Sequence, residues 1–431
     1  MTEVLGALLA TADPRDLLPR RRAEEAAQIR TPLRIRGSAR LGDERAYLLL
    51  EDGRGVVYGV PAAVDSGRLL RASAGWGASE ALIAAMAAGR SELDGLQLTT
   101  FHAQAASGER AIDVDQTNEL VVVGGVAVVK WLLHPVAGEQ PAVRRLAALE
   151  RAGFTGTPRT WGLVYLEAGG ERVLVATVSA YVPDAEDGWD WAVNEVRELA
   201  RGLRTDALQS VRDVGGLIGR MHVALAGAGL RTAAEADARQ WLEQARVDAA
   251  AAALGRVDAR VVEARLGPIG ECAGTPTMYV HGDLHIGQVL RAGTPPGYFV
   301  IDFDGNPTQS AGERIERQPA ARDVAGMLAS LDHVGRVVLR RTEGLDPEAK
   351  ERVLAWIEDA QREFLHAYVE AIGEGGHPEV LDRSLLDAMQ VQQECREYVY
   401  AARYLPHWRY VPDAALPALL ARTHDADSER T

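Results

Sequence analysis

Hydrophobic positions change their period along the chain. Short apolar or alternating runs occupy 33–36, 46–50, 56–60, 96–106, 110–115, 119–123 and 126–131. Runs of this length and period predict strands. Asp52-Gly53 and Gly124-Gly125 separate neighbouring runs and read as hairpin turns. Helical spacing appears at 78–88 and 140–152, and an apolar strand, VLVATVSAY, spans 173–181. From 187 onward the spacing is helical, with helices predicted over 189–203, 207–225, 233–253, 319–341, 347–372, 385–404 and 413–422. The pattern predicts an α+β chain in three parts: a small α+β subdomain over 1–90, a β-rich segment over 91–184, and a helical segment over 185–431.

One stretch interrupts the helices. Residues 279–306 read YVHGDLHIGQVLRAGTPPGYFVIDFDGN: strand, polar loop, apolar run, turn, then a second apolar run ending in acids. His281-Gly282-Asp283 and Gln288 lie in the first loop; Asp302 and Asp304 follow Tyr298-Phe299-Val300-Ile301. A single acid after a strand would be an ordinary turn residue. Two carboxylates at neighbouring strand ends with an amide between them suit a divalent metal with a base beside it. Phosphoryl transfer needs that set, one acid to orient the attacking hydroxyl and oxygen ligands to hold magnesium on the phosphates. Asp323, at a helix start, is expected to brace this loop. His222 and His333, in apolar helical surroundings, read as core or cap residues.

The joint pattern H-G-D-x-H-x-x-Q followed by I-D-F-D resembles the catalytic and metal loops of the aminoglycoside phosphotransferase and choline kinase group, relatives of protein kinases. Gln288 stands where that group usually has Asn, as it does in the maltokinase-like branch. The resemblance implies a bilobal protein-kinase-like fold, with 1–90 as an added N-terminal cap, and ATP and Mg2+ as cofactors. It makes Asp283 the catalytic acid–base, Gln288 and Asp302 the metal ligands, and His285 a wall of the acceptor pocket. Asp304 would be an acid behind that metal, or at a second one, on the acceptor side. Gln116, Thr117 and Asn118 fall where the group's phosphate-covering turn lies. Backbone groups near Ser179, Tyr181 and Val182 would hold adenine at the hinge.

Only two lysines, Lys130 and Lys350, occur among 47 basic residues. A lysine kept where arginine replaces nearly all others points to a need for a compact charge. Lys130, ending VVGGVAVVK, matches the kinase lysine that meets the nucleotide phosphates. The helix glutamate that such a lysine pairs with is replaced by Arg144, and Glu139 and Glu150 flank it as alternatives.

The acceptor should face the last helices, where 390–417 read QVQQECREYVYAARYLPHWRYVPDAALP. On a helix Gln390, Gln393, Glu394 and Glu397 share a face. An acidic face followed by Trp408 and Tyr410 suits a sugar, with hydroxyls paired and a ring face packed on an aromatic. Glu397, Tyr400, Arg403, Pro406 and Trp408 fit the maltokinase tail, whereas Gln393 and Glu394 resemble the bacterial glucosamine kinases that branch from it. That resemblance implies transfer of the γ-phosphate of ATP to the 6-hydroxyl of D-glucosamine, with Glu394 or Glu397 on the amino group. Maltokinase, aminoglycoside phosphotransferase and a non-catalytic pseudokinase are the alternatives.

Charge and composition narrow the partners. A net charge of −14 argues against bulk nucleic-acid binding, which needs a basic face. No run approaches 18 apolar residues, so no membrane span is expected. The first residues lack the basic start of a signal peptide. Two cysteines, Cys272 and Cys395, cannot build a disulfide framework, and a cytoplasmic location is the expectation. The expected partners are ATP and an amino sugar, in a monomer or small homo-oligomer.

Overall fold

The computed structural model describes residues 2–18, 23–29, 32–112, 118–252, 257–294, 296–306, 309 and 311–422. These divide into two compact units, residues 1–143 with 158–183, and residues 144–157 with 184–431.

The first unit opens with three short helices, α1 (Thr2–Leu9), α2 (Pro14–Leu17) and α3 (Ala23–Gln28). Four antiparallel strands follow, β1 (Arg34–Arg40), β2 (Arg45–Glu51), β3 (Val57–Asp65) and β4 (Arg68–Arg71), paired in sequence order. Side chains alternate across a strand, and here both faces are covered. Leu48 and Leu50 of β2 pack with Leu5, Leu9, Leu17 and Leu18, while Tyr47 and Leu49 point into a second cluster. That second cluster includes Leu82, Ile83 and Met86 of α4 (Ala78–Ala87).

A seven-stranded sheet completes this unit. Its strands are β5 (Glu92–Leu93), β6 (Leu96–Thr100), β7 (Glu109–Ala111), β8 (Glu119–Val123), β9 (Ala127–Trp131), β10 (Thr160–Ala168) and β11 (Glu171–Ala180). Their order is β5-β6-β10-β11-β9-β8-β7. Leu96, Trp131, Trp161 and Val164 of this sheet share the cluster of Tyr47 and α4. The cap segment and the β-rich segment are thus joined through one core. Strand β10 was not expected from the sequence, although its residues TWGLVYLEA are rich in β-formers. The run expected over 96–106 ends as a strand at Thr100.

The second unit is mostly helical: α5 (Pro141–Arg151, chiefly in this unit), α6 (Gly188–Ala200), α7 (Gln209–Ala226), α8 (Glu235–Ala251), α9 (Ala259–Leu266), α10 (Ala311–Ile315), α11 (Ala321–Arg341), α12 (Pro347–Glu374), α13 (Leu386–Arg403) and α14 (Tyr410–Ala421). Strands β12 (Arg231–Thr232) and β13 (Pro276–Thr277) form one short pair, and β14 (Val289–Ala292) and β15 (Gly297–Val300) a second. α11 is the central helix, buried along most of its length. Pro347 starts α12 after the N-cap Asp346, whose carboxylate accepts from the Ala349 N–H at 2.7 Å. Among the described residues no helix is long and apolar enough to cross a membrane. Cys272 and Cys395 are buried free thiols.

Candidate active site

The loop at 281–288 is held by Asp323, which is itself backed by side chains from α7 and α12. Asp323, in the first turn of α11, accepts from the His281 N–H at 2.6 Å and the Gly282 N–H at 2.8 Å. His222 from α7 contacts the same carboxylate through Nε2 at 3.1 Å and Tyr368 through Nδ1 at 2.7 Å. Asp323 is fully buried, and these donors hold its carboxyl below the usual range although burial alone would raise it. It braces the loop, as expected, and His222 is a core residue.

His281 ties this loop to the strand carrying the acids. Its Nε2 lies 2.8 Å from the Ile301 carbonyl, and its Nδ1 accepts from the Asp283 N–H at 3.3 Å. One nitrogen must donate and the other accept, which fixes the neutral Nε2–H form. Burial, which lowers the His281 pKa, favours the same form. Phe303 packs on the ring at 4.9 Å. Two close approaches seat the loop. A side chain at Gly188 would collide with the Ile286 carbonyl oxygen, and one at Gly326 would lie 2.5 Å from the Leu284 carbonyl oxygen. The start of α6 and the second turn of α11 therefore lie directly against the loop backbone.

Asp302 has φ +64°, a left-handed conformation that costs a non-glycine residue energy and recurs at functional sites. The following turn is gripped by Arg145 of α5. Its Nη1 donates to the Phe303 carbonyl at 2.7 Å and its Nη2 to the Arg314 carbonyl at 2.8 Å. Burial pulls this guanidinium down to about 10, against the pull of Asp323 and Asp304. Nothing local in the sequence marks Arg145, since its partners lie more than 150 positions away. Its neighbour Arg144 lies over the Tyr279 ring at 4.4 Å.

A cavity of about 610 Å³ opens beside the loop within the second unit. Asp283, His285, Gln393, Glu397 and Trp408, all expected at the site, line it, together with Trp189, Arg322, His333, Arg396 and Tyr400. Asp283 is driven up to about 7, by burial first and then by the charges of Asp302, Glu397 and Asp323. His285 is pushed down to about 4 by burial; it is a neutral ring whose Nδ1 accepts from the Gly287 N–H at 3.1 Å. Gln393 donates to Glu397 at 3.1 Å. Arg396 donates to Asp248 at 2.8 Å, and Gln392 donates to the same oxygen at 2.8 Å. Trp189 meets His285 at 6.4 Å and Trp408 at 5.6 Å, the latter edge to face.

Glu394 requires a correction. It is 2% exposed and does not line the cavity. Its carboxylate accepts from His333 Nε2 at 2.8 Å. On a helix turning about 100° per residue, Glu394 sits roughly 110° round from the mean direction of Gln393, Arg396, Glu397 and Tyr400. The shared face read from the sequence is real but wide, and its Glu394 edge turns towards α11. Burial lowers the His333 pKa, but the charge and hydrogen bond of Glu394 outweigh it and hold the imidazole up at about 9. A raised histidine contributes stability that is complete below its ordinary value near 6.5 and lost as pH rises through the folded value. Denaturant unfolding should therefore show stability falling between about pH 6.5 and 9, with that slope reduced in His333→Gln.

The other expected residues fall as follows. Gln288 and Asp304 do not line the cavity; Gln288 Nε2 lies 3.4 Å from His285 Nε2. In the first unit, Lys130 is half-buried on β9, between Thr177 of β11 and Leu120 of β8. Asn118 accepts from the Leu133 N–H at 3.1 Å, while Gln116 and Thr117 lie outside the described residues. Ser179 pairs with Val128. The Tyr181 N–H donates to the Val126 carbonyl at 2.8 Å. Val182 follows β11 and is half-buried.

No family model matches the chain. A glucosamine kinase of Streptacidiphilus jiangxiensis is 45% identical over 439 aligned residues, covering 97% of this chain and 99% of the relative. The chain belongs to the glucosamine kinases. A second member, from Mycolicibacterium smegmatis, is 45% identical over 84% of this chain and 92% of its own length. A solved glucosamine kinase in complex with glucosamine, ADP and inorganic phosphate matches with TM-score 0.80 at 42% identity, over 97% of this chain and 100% of that one. The kinase-like α+β fold expected from the HGD and DFD loops is the fold this family shares.

Proposed function

We propose that the protein transfers the γ-phosphate of ATP to the 6-hydroxyl of D-glucosamine, giving glucosamine 6-phosphate and ADP. The observation that carries this reading is one cavity holding both a buried acid–base and a sugar-binding wall. Asp283 lines it together with Glu397, Gln393 and Trp408. Asp283 accepts the hydrogen bond of the attacking hydroxyl and takes its proton as the oxygen–phosphorus bond forms, while the bond to ADP breaks. Glu397 pairs with the 2-ammonium group, and Trp408 packs on the C–H face of the ring. His285, unable to carry charge at neutral pH, orients a hydroxyl.

The metal reading fits the donor set. Gln288 and Asp302 offer hard oxygens, an amide carbonyl and a carboxylate. Mg2+ is commonly held by one or two protein oxygens, completed by water and substrate phosphates. Bound there, it would offset the phosphate charge and the Asp302 charge that helps raise Asp283. Asp304 supports this loop, and Lys130 of the first unit supplies a point charge for the nucleotide phosphates. The cytoplasm, where ATP is supplied, is the proposed location.

The test is magnesium-dependent ADP release measured with glucosamine, glucose and maltose. Glucosamine should give the highest kcat/KM. A preference for maltose would overturn the assignment in favour of a maltokinase.

A further inference from the structure

The cavity is far longer than one hexosamine needs. Residues 322, 326, 329, 333, 337 and 341 of α11 all line it, at steps of three or four. At 1.5 Å per residue that is a face roughly 28 Å long. Asp323 and Gly326 fix the inner end of this face at the HGD loop. The α6 side runs the same way: Gly188 touches the loop, and Asp190, Asn194 and Arg197 follow along one face. A chain of rings marks the path outward, from His285 to Trp189 to Trp408. At its end the Arg341 guanidinium lies over the Trp408 ring at 5.8 Å.

The charged lining residues at the inner end are of both signs, Asp283, Asp190 and Glu397 with Arg322 and Arg396, whereas those further out are Arg197 and Arg341. Arg197 is kept in place by Asn194, whose Oδ1 accepts from its Nη1 at 2.8 Å. Arg197 on α6 and Arg341 on α11 are thus the charged residues of the outer part, in a chain of net charge −14. Guanidiniums are suited to planar bidentate recognition of a carboxylate.

We infer that the outer half of this cavity is a subsite for a second, carboxylate-bearing sugar ring, so that the enzyme also phosphorylates glucosaminides of a uronic acid. This rests on the proposed function and extends it. Glucosamine joined through its anomeric carbon keeps both the 6-hydroxyl and the 2-amino group free for the inner end. The chemistry is unchanged: the 6-oxygen gains the phosphoryl group, its proton goes to Asp283, and ADP departs. The uronate carboxylate is drawn towards the cations Arg197 and Arg341, and its ring lies beyond Trp408, which stays against the glucosamine ring.

Steady-state kinetics with four acceptors test this: glucosamine, glucosaminyl-glucuronic acid, glucosaminyl-glucose and a glucosamine disaccharide. The acid-bearing disaccharide should be phosphorylated on the glucosamine 6-hydroxyl with the lowest KM of the three disaccharides. The disaccharide of two glucosamines, which brings an ammonium to the arginines, should have the highest. In R197A/R341A the KM for the acid-bearing disaccharide should rise about tenfold or more, the scale of a charged hydrogen bond. Glucosamine itself should stay within about twofold, which also shows that the variant is folded. Turnover of glucosamine without any disaccharide product, or an equal change for both acceptors in the variant, would overturn the subsite alone. Failure of glucosamine as an acceptor would overturn the proposed function together with it.

Discussion

Asp283→Asn is expected to lower kcat for glucosamine by about 10²–10⁴-fold, the usual contribution of a positioned general base, while glucosamine binding changes little. Asparagine keeps the size of the side chain and can still accept a hydrogen bond, but it cannot take a proton. The loop should survive the change. Asp283 is not the residue that holds it; Asp323 supplies the contacts to the His281 and Gly282 amides. Removing a buried acid crowded by Asp302, Glu397 and Asp323 also relieves repulsion. The variant should therefore be at least as stable as the parent near neutral pH, where the raised carboxyl of Asp283 begins to ionise. Loss of activity with retained stability and retained sugar binding, read by calorimetric titration, separates a lost base from a damaged fold. Unchanged turnover would remove Asp283 from the chemistry.

Glu397→Gln is expected to raise the KM for glucosamine roughly 10- to 100-fold, equivalent to losing a charge-assisted hydrogen bond of about 1.5–3 kcal/mol. Glucose, with a hydroxyl in place of the ammonium, should be affected far less, so the preference between the two sugars should collapse. The i,i+4 geometry with Gln393 lets an amide at 397 remain in the same place. A loss confined to KM marks binding energy present in both ground and transition states. Glu394→Gln should behave differently. It breaks a buried pair with His333, and breaking one partner of such a pair costs stability. Its principal effect should appear in unfolding, and the ratio of glucosamine to glucose should change much less than for Glu397.

The contrast between these two glutamates shows how far the sequence could be read. Both sit on the polar face of α13, and local spacing places them together. What separates them is the direction of the cavity, which depends on how α13 packs on α11. Glu394 is spent on a histidine 61 positions earlier in the chain. Local patterns were legible throughout: the helical spacing of α7, α12 and α13, the hairpin turns, and the two loops carrying HGD and DFD. Asp323 was legible as a brace because its acid opens a helix just after the motif. Long-range pairings left no such trace. The insertion of β10 between β6 and β11 is invisible to a period-two pattern. Arg145 looks like any arginine on an amphipathic helix until its carbonyl partners at Phe303 and Arg314 are seen.

The central claim is that the 6-hydroxyl of an amino sugar is the group that meets Asp283 and receives the phosphate. It is tested most directly by phosphorus–proton correlation spectroscopy on the product formed from glucosamine and ATP. One sugar phosphate signal coupled to the two protons on carbon 6 is expected, formed by the parent enzyme and lost in Asp283→Asn. A phosphorus signal coupled to the anomeric proton, or phosphorylation that persists in the variant, would contradict it.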